Sequence, residues 1–394
     1  MDYDEEYDVD DRNIQDERLL SQGSYGTLNV PKTCVFVVGI MAGSGFLALP
    51  KSVDNTGWVG IILLALFCLL SFYTSTFLSR CWQMMLERGL LPPNGHIRYP
   101  YPAIGEAAFG KYGKYAVSVA INFTNFGTVV VYILLAAENI HTLLTDYTSM
   151  STCILAVIVT GSVVPVTWFG TPKDFWGTAL AATIATLTAS LLVFSNILKD
   201  RQYFTDMAHT NVDVVSFFTA FGTMAFSYGG HCVFPTVMAD MKRPKHFWKA
   251  SLIGYIVLLV IYMPSSIASY LTYGQMISPN VLDTVSRGPM RTIAAILMTL
   301  HLYFGIIIIA NPVCQEVENI LGIENKFFTI KRAVCRTFVM GFALFVAESV
   351  PHFSSILALV GGSTITLLAY ICPTIFFLKL AAAKPSNSER WDKM

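Results

Sequence analysis

The chain has 394 residues, 54% of them hydrophobic and 13% charged, with a mean hydropathy of +0.55. A water-soluble domain of that composition lacks the polar surface to cover itself, so lipid must solvate most of it. The formal net charge of +0 identifies no partner, because in a membrane protein the placement of Lys and Arg matters more than their sum.

The first segment, residues 1–31, crowds Asp2, Asp4, Glu5, Glu6, Asp8, Asp10 and Asp11 into a stretch with little to bury, and is expected to be disordered and cytosolic. No cleavable signal peptide precedes the first apolar run. Asp16-Glu17-Arg18-Leu19-Leu20 has the look of an acidic dileucine sorting signal, with Gln15 where the usual spacing wants an acid. Endolysosomal or vesicular residence is therefore set beside the plasma membrane.

Residues 32–379 read as one all-α polytopic membrane domain, and 380–394 as a short cytosolic tail. Apolar runs near the ~20 residues that cross a hydrocarbon core recur as ten spans, roughly 33–50, 57–80, 115–140, 152–169, 174–198, 214–240, 248–272, 291–312, 332–350 and 354–378. With the N-terminus inside, basic residues favour the cytosolic loops by about four to one, which places both termini in the cytosol. Cysteines form no CxxC or metal-ligand spacing and are read as packing residues. The connector Tyr99-Pro100-Tyr101-Pro102 leads into a short helix over Ala103 to Phe109, expected on the membrane face.

Span one places Gly43-Ser44-Gly45 at mid-depth in an apolar helix. Glycine weakens a helix by ~1 kcal/mol relative to alanine, so an unwound turn forms there cheaply. Freed amides and carbonyls cannot face lipid, so such a break implies a protein-lined site; close packing through Gly39 and Gly43 is the alternative. Span six decides between them with Phe226-Ser227-Tyr228-Gly229-Gly230-His231 and Pro235, a second small-residue break at the equivalent place in a second five-span half. Helix N-terminal amides attract a carboxylate and C-terminal carbonyls an ammonium group, so the pair of breaks suits a zwitterion. The expected substrate site is Ala42, Gly43, Ser44, Gly45, Phe226, Ser227, Tyr228, Gly229 and Gly230, with Phe46 as a further wall.

His231 follows the break and can titrate near neutral pH, which makes it the candidate for proton coupling. His301 in span eight has no neighbouring break in sequence and is read as structural. Sodium is the rival ion, and Thr299 in span eight is its candidate oxygen ligand. No cofactor is expected beyond a coupling proton or sodium.

Ala42-Gly43-Ser44-Gly45-Phe46-Leu47-Ala48-Leu49-Pro50 with Gly57-Trp58-Val59-Gly60, Phe226-Ser227-Tyr228-Gly229-Gly230-His231 with Phe234-Pro235 and Met241-Lys242-Arg243-Pro244, and Asn311-Pro312 together resemble the amino acid/auxin permease family, which includes vesicular inhibitory and proton-assisted amino acid transporters. The resemblance covers the whole membrane part. It implies the bacterial leucine-transporter fold, a five-plus-five inverted repeat with helices 1 and 6 broken, and amino-acid transport that many members couple to protons. The family usually has an eleventh span. Both five-span halves are complete before it, so the core site is expected intact.

The function expected is secondary active transport of small neutral amino acids by alternating access. A sensor that binds an amino acid and signals with little flux is the alternative, and binding without transport would favour it. The partners are a small amino-acid substrate and the lipid bilayer, with no nucleic acid and an undetermined oligomeric state. No nucleophile triad, metal cluster or phosphate loop marks an enzyme.

Overall fold

The computed structural model describes residues 26–91, 97, 99–169, 176–204, 207–323 and 328–383. The acidic N-terminal stretch, the dileucine motif and most of the tail lie outside these residues.

Helix occupies all ten apolar ranges. The first is split into α1 (Val30–Met41) and α2 (Ser44–Thr56), which meet at 56°. There follow α3 (Trp58–Glu87), α4 (Pro100–Leu144), α5 (Thr152–Thr167) and α6 (Trp176–Asp200). The sixth range is again split, into α7 (Val214–Ser227) and α8 (Phe234–Ala239). Then come α9 (Phe247–Tyr273), the short α10 (Val281–Thr284), α11 (Pro289–Ile320) and α12 (Ile330–Ser349). The last range holds α13 (Phe353–Val360), a π-helical segment (Gly361–Ile371) and α14 (Cys372–Ala382). Among the described residues five helices and the continuous run Phe353–Ala382 are each long and apolar enough to cross a membrane, and the bent α1–α2 pair makes a seventh.

Local chemistry sets the helix ends. Asn29 Oδ1 accepts from the Lys32 amide at 3.1 Å to start α1, and Thr329 Oγ1 does the same for Arg332 at 3.3 Å in α12. Asp213 caps α7 through the Val215 and Ser216 amides; Ser216 and then Val215 hold its exposed carboxyl below the usual range. The short helix expected after Tyr99 is present as the first turns of α4. Phe109 and Gly110 then leave helical geometry, with Gly110 at φ 64°, a conformation that suits glycine. The redirected chain continues to Leu144 through the third predicted range.

Polar ties cross-link the helix ends. Buried Asp54 accepts from Lys51 at 2.8 Å and from the Thr210 hydroxyl at 2.6 Å. Buried Asp200 takes Tyr273 at 2.6 Å and the Ser286 amide at 2.9 Å. At the other end Glu318 of α11 receives Arg336 at 2.5 Å and Arg332 at 3.1 Å from α12, while Arg336 also donates to the Thr167 carbonyl of α5 at 2.6 Å. The segment before α1 adds a parallel bridge, Leu28 to Met241, just beyond α8. All eight cysteines are free, and Cys153 is the exposed one.

Candidate functional site: two helix breaks in contact

The span-one break is a two-residue departure from helix. Ala42 sits at φ −76°, ψ 91° and Gly43 at φ −158°, ψ −128°, which turns the chain out of α1 and into α2. The first amides of a helix have no partner four residues back, so Ser44 and Gly45 present N–H groups at the start of α2. On the other side of the break, the Met41 carbonyl at the end of α1 accepts from Tyr262 Oη at 2.8 Å.

The span-six break is longer. Beyond Ser227 the backbone makes only turn bonds, Gly229 N to Phe226 O at 2.9 Å, Gly230 N to Tyr228 O at 3.1 Å and Val233 N to Gly230 O at 3.1 Å, until α8 restarts at Phe234 with Pro235 in its first turn. The two breaks touch. A Cβ added to Gly45 would lie 2.5 Å from Ser227 Oγ and 2.8 Å from Ser227 Cα, so this contact exists only because position 45 lacks a side chain. A Cβ on Gly230 would likewise meet Met41 Cγ at 2.9 Å.

Helix α9 closes the site from one side. Tyr255 and Tyr262 are seven residues apart and share a helix face, which turns both hydroxyls to the breaks. Tyr262 Oη bonds Met41 O and lies 3.5 Å from Ser227 O, while Tyr255 Oη donates to Tyr228 O at 3.3 Å. The carbonyls freed by unwinding are thus met by phenols. Phe46 and Tyr228 pack their rings 6.3 and 5.5 Å from Tyr262. Phe226, half-buried, and Gly229 turn instead toward the π-helical segment, where a Cβ on Gly229 would strike Ile365 at 2.5 Å.

The histidines exchange the places the sequence implied for them. A Cβ on Gly43 would lie 3.1 Å from both His301 Nε2 and Tyr132 Oη, so His301 of α11 stands directly at the span-one break. Thr186 of α6 gives its own proton to Ala182 O at 3.1 Å, and its oxygen therefore accepts from His301 Nδ1 at 3.0 Å. That bond leaves Nε2 as the unprotonated nitrogen facing Gly43. His231, by contrast, lies behind its break against Thr74 Oγ1 at 3.0 Å, with Phe234 and Tyr370 beside it. Thr299 returns its hydroxyl to Ala295 O at 2.7 Å and sits about 200° around the helix from His301, away from the break.

At the breaks the buried Ser44 Oγ and Tyr228 Oη make no hydrogen bond of ordinary geometry, although Tyr132 stands beside Ser44 and Cys68 beside Tyr228. Ala42 and Ser44 are 1% exposed and Tyr228 0%, so the breaks are closed to solvent in this conformation. Sequence reasoning found both breaks but missed Tyr132, Thr186, Tyr255, Tyr262 and the position of His301. The heptad spacing of Tyr255 and Tyr262 was the one available signal.

If the Tyr262 hydroxyl holds the closed arrangement, Tyr262→Phe removes one hydrogen bond and keeps the ring. The expected loss of ~1 kcal/mol shifts the closed-to-open balance roughly fivefold. The rate at which a Ser44→Cys thiol reacts with a small thiosulfonate should rise by that factor.

A family profile described as transmembrane amino acid transporter protein matches residues 26–394. The Arabidopsis thaliana protein amino acid transporter AVT1E is 25% identical over 364 residues, covering 89% of this chain and 66% of its own length. Amino acid transporter AVT1D from the same plant is 23% identical, covering 89% of this chain and 63% of its own, and lysine histidine transporter-like 1 is 25% identical, covering 90% and 81%. The chain thus spans just under two thirds of the length of the first two relatives. Among solved structures, MhsT in complex with L-phenylalanine aligns with a TM-score of 0.58 at 10% identity, over 90% of this chain and 96% of that one. The substrate-bound outward-open state of a Na+-coupled sialic acid symporter aligns at 0.54 with 13% identity, over 91% and 80%. Both likenesses concern the fold.

Proposed function

The chain belongs to the transmembrane amino acid transporter family, and we propose that it carries small neutral amino acids or related zwitterions across a membrane by alternating access. On this reading the ten helical ranges are ten spans in two inverted five-span halves, with equivalent breaks in spans one and six and both termini in the cytosol. The observation that carries it is the direct contact of the two breaks, Gly45 against Ser227 and Gly230 against Met41. The Ser44 and Gly45 amides offer partial positive charge to a carboxylate. An ammonium group takes the Met41, Ser227 and Tyr228 carbonyls, displacing the phenols of Tyr262 and Tyr255. Charge on the cargo is then met by backbone dipoles, without a buried formal charge on the protein.

For coupling we favour a proton, and His301 rather than His231 as its carrier. His301 Nε2 faces the break itself, so protonation there alters the packing of spans one, five and eight at once. Thr299, the sodium candidate, is turned from the break. The expected result for His301→Gln in proteoliposomes is loss of uptake driven by an imposed pH gradient, with counterflow exchange of labelled amino acid retained. His231→Gln should keep the gradient response. Uptake of a radiolabelled amino-acid panel under a pH or a sodium gradient tests the whole reading, which fails if nothing moves under either.

A further inference from the structure

Away from the breaks, at the end of the bundle that holds Glu87 of α3 and the last turn of α14, lies an open cavity of about 830 Å³. Arg80 of α3 and Arg88 just past its end line it with Lys245, from the turn before α9. Glu87 is the only carboxylate among the lining residues, and Arg80 and Arg88 together exceed its charge. Lys249 adds a further cation at the rim, 5.7 Å from the centre of the Trp248 ring. Ser79 and Gln83, bonded to each other at 3.2 Å, put neutral polar groups on the floor. Arg88 is held in place by the Leu380 carbonyl at 2.9 Å.

The other wall is apolar and leads away from the charges. Phe377 lines the cavity and stacks on Phe77 at 4.8 Å, and Phe77 meets Tyr73 at 4.5 Å. Tyr73 is 57% exposed, and Leu69 one turn further along α3 is 63% exposed. Ile375 and Leu378 of α14 are exposed too. In a membrane this stripe faces acyl chains. A soluble anion would use the cations and leave the stripe idle, whereas a lipid uses both: phosphate among the basic groups, chains along the aromatic ladder. Basic pockets between helices at the cytosolic face attract anionic headgroups by this physics.

We infer that this cavity binds the phosphate-bearing headgroup of an anionic glycerophospholipid of the cytosolic leaflet. The leaflet assignment rests on the inside placement of the basic loops; the binding chemistry does not. Trp248, 43% exposed, sits where the headgroup region begins, in the manner of interfacial tryptophans.

The test uses the full chain in nanodiscs of phosphatidylcholine containing a minor share of phosphatidylserine or phosphatidylinositol phosphate, with native mass spectrometry counting retained lipid. The wild type should keep the anionic lipid over phosphatidylcholine. Arg80→Gln and Arg88→Gln should each lower that preference about fivefold, the equivalent of ~1 kcal/mol per surface charge. Lys114→Gln, which removes a basic residue paired with Glu106 elsewhere, should not. No preference in the wild type, or equal loss in the Lys114 control, overturns the site. Full displacement by inorganic phosphate or inositol hexakisphosphate shows a soluble-anion pocket and also overturns it. A membrane-impermeant maleimide reports the leaflet: Glu87→Cys should react from the side opposite to Cys153. Reaction from the same side overturns the orientation while the retention data stand.

Discussion

Gly45→Ala is expected to abolish most transport although it adds one methyl group to a helix that alanine ordinarily favours. The added Cβ falls 2.5 Å from Ser227 Oγ and 2.8 Å from Ser227 Cα. The hydroxyl can rotate away but the Cα cannot, so α2 and α7 must separate. Overpacking of this kind costs ~1–3 kcal/mol, or roughly 5- to 150-fold in the population of the closed arrangement. A carrier that has to pass through that arrangement loses turnover by the same factor, while its folding in detergent changes little. Two controls isolate the cause. Ser227→Gly in the same chain removes the Oγ and Cβ and should restore part of the uptake. Gly341→Ala, whose Cβ would meet nothing within 4 Å, should be neutral. The readout is initial-rate uptake normalised to surface protein.

The largest stability effect is expected at Glu318. Its carboxylate is 3% exposed and pairs with two guanidinium groups, Arg336 at 1% and Arg332 at 4% exposure. Breaking a buried ion pair by removing one partner costs ~3–5 kcal/mol, because the charge left behind has no water to turn to. Glu318→Gln keeps the volume and removes the charge, so both arginines lose their shared counterion in one step. The expected result is a large fall in the thermal midpoint of the detergent-solubilised protein and poor recovery from membranes. Arg332→Gln should cost less, since Arg336 still pairs with the same carboxylate. Arg336→Gln should cost more than Arg332→Gln, because it also strands the Thr167 carbonyl. Equal stability of all three variants would mean the cluster is solvated from the membrane surface.

What the sequence made legible was what depends on neighbours along the chain. Gly43-Ser44-Gly45 and Tyr228-Gly229-Gly230 announce breaks because small residues in an apolar run weaken helix locally, whatever surrounds them. The helical ranges were readable for the same reason, since the length of an apolar run needs no tertiary knowledge. The site's other half was hidden. Tyr262 reaches Met41 across 221 residues, and His301 reaches Thr186 across 115. Neither pairing leaves a trace in local composition. His231 drew attention by adjacency to its break in sequence, yet the turn after Tyr228 carries its ring behind the break to Thr74. Thr299 was chosen for its hydroxyl, and the helical register turns that hydroxyl aside while presenting the histidine two residues on.

If the two breaks form one cargo site, bound cargo must shield a thiol placed at the span-one break. In a chain with Cys153→Ser and Ser44→Cys, the rate of thiosulfonate modification is measured during turnover with and without a transported amino acid. The amino acid should slow modification, and analogues lacking the carboxylate or the amine should not. A thiol at position 44 that reacts at the same rate with and without cargo, in a carrier that still transports, would contradict a shared site.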